Sequence, residues 1–75
     1  MAYMMNVHTS LIQAIGYDKP TQTLFIMFRN GKYFRYFNVP EDVYELFVNA
    51  KSIGTFFHKK IKGSYLYEEL NVTIQ

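Results

Sequence analysis

Tyr33, Arg35 and Phe37 alternate along the stretch GKYFRYFNVP, residues 31–40. Alternate residues of a strand share a face, so two rings and a guanidinium would project together. Rings on an open sheet face stack on unpaired bases, and Arg or Lys beside them holds phosphate. Tyr, Phe, Met and Arg are also the types enriched at protein–protein interface cores. The same residues would therefore equally cover a second small core or a dimer contact. A further basic group follows in HKKIK, residues 58–62, where one helical turn presents His58, Lys59 and Lys62 with Lys60 beside them. Lysines so placed grip phosphates with salt-sensitive affinity, although solvated helix faces have the same composition. Between the two groups, Ser52 and Gly54 open a second helix. The free amides of a helix start hold anions, and an ordinary N-cap followed by a glycine has the same sequence.

Catalytic patterns are not found. His8 and His58 lie far apart, neither belongs to an HExxH arrangement, and cysteine is absent, so no metal-ligand spacing is present. Ser10, Ser52 and Ser64 lack the flanking glycines of a nucleophile elbow. There is no P-loop and no GxGxxG. The carboxylates Glu41, Asp42 and Glu45 gather at one helix start, and Glu68 and Glu69 in the tail, where dipole compensation and solvation account for them. The expectation is a non-enzymatic protein with no metal and no cofactor.

The elements that must position these residues are legible in the hydrophobic periods. SLIQAIGY (10–17), TLFIMF (23–28) and KYFRYF (32–37) read as three strands, separated by the turn signals DKPTQ and RNG. A two-residue turn at Asn30 and Gly31 would pair Phe28 with Tyr33 and set Arg35 among Leu24, Ile26 and Phe28. A three-residue loop of Arg29, Asn30 and Gly31, with Gly31 in the left-handed conformation of a G1 bulge, pairs Phe28 with Lys32 instead. Then Leu24, Ile26, Phe28, Phe34 and Tyr36 share the core face, and Phe25, Met27, Tyr33, Arg35 and Phe37 the other. Burying the guanidinium against an apolar row is costly, which favours the bulged register.

After residue 40 the period becomes helical. Pro40 suits a first helical position, and Val43, Leu46, Phe47 and Ala50 form an apolar stripe. Ser52 caps a second helix with the stripe Ile53, Phe56, Phe57 and Ile61, and Gly63 ends it. The tail SYLYEELNVTIQ is extended or helical, packing Tyr65, Tyr67 and Leu70. The expected fold is α+β: a three-stranded antiparallel sheet followed by two helices packed on one face, all within a single domain of 75 residues.

A chain this short needs a rich core, and 49% of its residues are hydrophobic, 19% aromatic. Its net charge of +2 implies no nucleic acid by itself, but the basic residues are grouped: Arg29, Lys32 and Arg35, then Lys51, Lys59, Lys60 and Lys62. The longest apolar run, LFIMF, is far short of the ~20 residues that span a bilayer. MAYMMNVHTS lacks the n-region and h-region of a signal peptide. A soluble cytoplasmic protein, with no membrane partner, is the plain expectation.

Taken in order, SLIQAIGYD, the strand with Leu24, Ile26 and Phe28, and Gly31 with Phe34, Tyr36 and Val39–Pro40 resemble the KTSC domain. Val43–Tyr44 with Ala50, then Ser52, Gly54 and Phe57, then Ile61, Lys62 and Tyr65 extend the resemblance from about Val7 to Leu70. This short bacterial domain is named for its occurrence at the C-terminus of some lysyl-tRNA synthetases, and it also occurs as free-standing small proteins, some from phages. Phe34 stands where the family's YxY motif begins with tyrosine, and His58 where asparagine is frequent. The resemblance implies no catalytic residue, and it implies RNA, single-stranded or structured and including tRNA, as partner. On that reading Arg35, Lys59, Lys60 and Lys62 contact phosphates, Tyr33 and Phe37 stack on bases, and Ser52 with Gly54 holds a phosphate. The alternative is a protein-interaction module, a mobile-element-encoded inhibitor or a homodimer, using the same aromatic face.

Overall fold

The alternation that runs from residue 12 to residue 36 builds a sheet larger than its sequence pattern. The computed structural model describes residues 4–7 and 9–70. Its strands are β1 (Met5–Asn6), β2 (Ile12–Asp18), β3 (Thr23–Phe28), β4 (Tyr33–Tyr36) and β5 (Tyr67–Leu70). Between β4 and β5 come α1 (Glu41–Val48) and α2 (Ile53–Phe56), and α2 continues into one π-helical turn, Phe57–Ile61. The strands lie in sequence order, each antiparallel to the next. The sheet therefore has five strands, not three. Both additions are edges: β1 is two exposed residues, and three of the four residues of β5 are exposed. A strand with no buried face leaves no alternation to read. His8 and residues 71–75 of the tail lie outside the described residues.

The central hairpin adopts the bulged register. Leu24 pairs with Tyr36, Phe25 with Arg35 and Ile26 with Phe34. The Phe28 N–H donates to the Lys32 carbonyl at 2.8 Å, and the Gly31 N–H to the Phe28 carbonyl at 3.0 Å. Gly31 sits at φ +90°, where a side chain would be strained. This loop sends Leu24, Ile26, Phe28 and Tyr36 into the core and Arg35 to the opposite face.

The helices cover the first of these faces. Fully buried Phe47 of α1 and Ile61 of the π turn, with Phe57 nearly so, join Ile12, Ile15, Leu24 and Ile26 in one cluster. Burial of each such side chain stabilises the fold by roughly 1.5–3 kcal/mol. Pro40 is extended at φ −61°, ψ 150° and precedes the helix, so Glu41 takes the first helical position. Leu46 departs from the expected stripe and is 63% exposed. The inward face is Val43, Tyr44, Phe47 and Val48, because the Tyr44 ring stacks on Tyr17 at 4.4 Å and fixes the helix rotation. Ser52 caps α2 as expected, its Oγ accepting from the Thr55 N–H. The π turn closes when the Lys62 N–H donates to the Phe57 carbonyl, and Gly63 at φ +81° ends it. Among the described residues no helix is long and apolar enough to cross a membrane.

Candidate functional site

The sheet has two faces, and each gathers some of the residues singled out by sequence. On the face away from the helices the register aligns Ala14, Met27, Tyr33 and Leu70 in one row, and Gly16, Phe25, Arg35 and Glu68 in the next. Tyr33, Arg35 and Phe37 are brought together here, all half-buried. Their polar groups are partly engaged, and the Arg35 Nε is buried with no hydrogen-bond partner among the described residues. The Arg35 Nη2 donates to Glu68 Oε1 at 2.6 Å, and its guanidinium carbon lies 5.2 Å from the centre of the Phe37 ring. The Tyr33 hydroxyl contacts Met4 Sδ at 3.9 Å, and its ring tilts against Phe25.

The helix-side face is not sealed. Where α2 and the π turn end, a cleft of about 480 Å³ opens between the helices and β3, β4 and β5. Its walls are the rings of Phe28, Phe34, Tyr36, Phe57 and Tyr67, and Lys32, His58 and Lys62 stand around it with Asn30. Several elements assemble these rings. Phe34 and Tyr36 follow from the alternation of β4, and Tyr67 is the cross-strand partner of Tyr36. The π turn supplies Phe57 and His58. The rings meet edge to face: Phe28 on Phe34 at 5.4 Å, Phe28 on Phe57 at 5.2 Å, and Phe34 on Tyr67 at 5.7 Å. This geometry suits the ring quadrupoles. Burial, then the neighbouring Tyr67 oxygen, push the Tyr36 hydroxyl up to about 12, so at neutral pH it is a protonated donor.

The expected site residues thus fall in three places. His58 and Lys62 line the aromatic cleft, and Lys59 and Lys60 are exposed on the same π turn without lining it. Ser52 and Gly54 line a smaller cleft of about 260 Å³ with Thr9, Ser10 and Ala50. There the Ser52 hydroxyl is occupied, accepting from the Thr55 N–H and bonded to Thr55 Oγ1 at 2.9 Å. A Cβ built on Gly54 would meet only Leu11 Cδ2, at 4.0 Å, so crowding does not require glycine there.

Sequence reasoning assigned Phe34 and Tyr36 to the core and passed over Lys32 and Tyr67. The available signal was the tyrosine hydroxyl on a core-facing strand, which needs a partner or water. Of the basic hairpin residues, Arg29 is bound to backbone, its Nη2 donating to the Val7 carbonyl at 3.1 Å and its Nε to that of Thr9. Lys32 makes no ion pair with a described residue, and neither do Lys59, Lys60 and Lys62.

Comparison with known proteins agrees with this layout. The sequence model of the KTSC domain matches residues 8–65. A stretch of 62 residues, 83% of the chain, is 47% identical to a lysine–tRNA ligase of Nostoc sp. and 44% identical to that of Nostoc punctiforme. The chain spans only 11% of the length of these ligases. It also matches a short protein of Tsukamurella paurometabola at 36% identity, covering 92% of that chain. The crystal structure of a KTSC domain protein from Yersinia pestis superposes with a TM-score of 0.92 at 35% identity, over 95% of this chain and 100% of the other. The five-stranded sheet with its helices on one face is therefore the architecture of a known small domain, and the chain belongs to the KTSC domain family.

Proposed function

We propose that this domain is a non-enzymatic RNA-binding module of the cytoplasm, with tRNA as its target class. The observation that carries this reading is the surface around the π turn. Lys59, Lys60 and Lys62, with His58, leave one short helical segment, and Lys32 approaches from the hairpin. None of these lysines is neutralised by a described carboxylate. Unpaired ammonium groups beside an aromatic cleft are what an RNA backbone and its bases require. Lysine–tRNA ligases that carry a similar segment supply the reason to name tRNA first. The phosphate-binding role falls to the lysines of this surface, since Arg35 is held by Glu68.

Fluorescence anisotropy with labelled tRNA, repeated across a series of salt concentrations, tests the proposal. Three phosphate contacts predict a fall of log affinity against log salt with a slope of about −2. Replacing Lys59, Lys60 and Lys62 together by alanine should flatten that slope by about 0.7 per lysine, bringing it close to zero. Absence of tRNA binding at low salt, where phosphate contacts are strongest, would sink the reading.

A further inference from the structure

We infer that the aromatic cleft is a single-nucleotide site, which takes one unstacked base between its rings and the adjoining phosphate on Lys62, His58 and Lys32. The inference rests on the RNA reading above and gives it a location. The volume of about 480 Å³ lies within the range of roughly 300–1,000 Å³ that small-molecule sites occupy. Phe28, Tyr36 and Phe57 are buried in the core. The rings open to a planar heterocycle are therefore half-buried Phe34 and exposed Tyr67, where stacking and edge contacts accept any base.

The polar groups at the margin match the rest of a nucleotide. Asn30 Oδ1 accepts from the Lys32 N–H at 2.9 Å, which fixes the orientation of the amide and leaves its NH₂ to donate to a base carbonyl. Tyr36 lines the same space. Lys32 and Lys62 approach from two different elements and have no carboxylate partner among the described residues. Glu69 shares this face of the sheet through its pairing with Phe34, but it does not line the cleft. The charge complementarity is therefore to an anion attached to a ring. Bases stacked within a duplex cannot enter, so the occupant is a single-stranded or flipped nucleotide.

The test is a nuclear magnetic resonance titration of the full chain with each ribonucleoside 5′-monophosphate, with a uridine octamer, and with a duplex RNA of equal length. The ring resonances of Phe34, Tyr36 and Tyr67 and those of His58 should move with the monophosphates and the octamer, and the octamer should outcompete the duplex. Tyr67, 60% exposed on an edge strand, allows a variant that spares the fold. Tyr67→Ala should weaken octamer binding roughly 5- to 150-fold, the loss of one stacked base. Lys62→Ala should weaken it as well, and Phe37→Ala on the opposite face should leave it within twofold. Octamer affinity unchanged in Tyr67→Ala, or shifts confined to Phe25, Tyr33 and Phe37, would overturn the assignment. The two proposals separate cleanly. RNA bound with a silent cleft removes the nucleotide site and keeps the RNA reading, whereas monophosphates in the cleft without RNA affinity do the reverse.

Discussion

On the helix side of the sheet, Phe28, Phe34, Tyr36, Phe57 and Tyr67 line a cleft whose lysines come from the hairpin loop and the end of the π turn. On the opposite side, Phe25, Tyr33 and Phe37 surround Arg35, whose charge is met by Glu68 on the adjacent strand. The residue types are nearly the same on the two faces. What differs is where each cation finds its counterpart. The cation on the same strand as the rings is paired through Nη2 with its cross-strand carboxylate, while its Nε has no hydrogen-bond partner among the described residues. Lysines delivered by a hairpin and a π turn reach the edge of the aromatic cluster without meeting a carboxylate among the described residues, so charge and rings remain available together. Rings alone therefore do not mark a binding face. Unpaired charge beside an unfilled space does.

The largest expected effect separates the faces by stability. Phe57 is 4% exposed and touches both Phe28 and Tyr36, so Phe57→Ala should cost about 3–5 kcal/mol in urea unfolding. Phe37 is only half-buried, and Phe37→Ala should cost no more than about half of that. Equal losses would mean that the open face is as much a core as the closed one, and the contrast would fail.

The next effect is a dependence on pH that belongs to the helix face. Tyr36 is pushed up to about 12 from 10, mainly by burial. Above pH 10 the unfolded chain releases this proton while the folded chain retains it. The folded state then binds more protons, and stability falls as pH rises from 10 toward 12. Tyr17 and Tyr44 on the same face shift upward as well, first by burial and then by nearby carboxylates, and they add to the fall. Tyr36→Phe should therefore reduce the loss of stability between pH 9 and 11 without abolishing it. Urea midpoints that fall as steeply in the variant as in the native chain would assign the alkaline loss to other groups.

Much of this comparison was legible in the residues. The period-2 patterns of residues 12–36 place Leu24, Ile26, Phe28 and Tyr36 on one face and Arg35 on the other, and the cost of burying a guanidinium selects the register that is found. Ser52 as a cap, Gly63 as a stop and the stripe of Ile53, Phe56, Phe57 and Ile61 are local signals and were readable for that reason. β5 was not readable. Tyr67, Glu68 and Glu69 are exposed, and the strand exists because β4 offers it partners, a tertiary cause. Leu46 was misplaced because one aromatic stack, Tyr17 on Tyr44, sets the rotation of α1. The cleft was hidden for a different reason. Alternation assigns a side chain to a face but does not say whether the covering layer reaches it, and the helices stop short of Phe34 and Tyr67.

The smallest effect tests whether Arg35 belongs to the fold or to a partner. Its pair with Glu68 is short at 2.6 Å, but the two side chains are 38% and 51% exposed. Water and salt screen such a pair, so its coupling should be about 0.2–1 kcal/mol. A double-mutant cycle on Arg35→Ala and Glu68→Ala, read by urea unfolding, measures it, and the value should shrink as ionic strength rises. The accompanying measurement decides the comparison. If Arg35 serves only the sheet, Arg35→Ala lowers stability slightly and leaves tRNA affinity and its salt slope unchanged. If the slope falls by about 1, Glu68 yields its partner to phosphate, and the open face shares in binding with the cleft opposite.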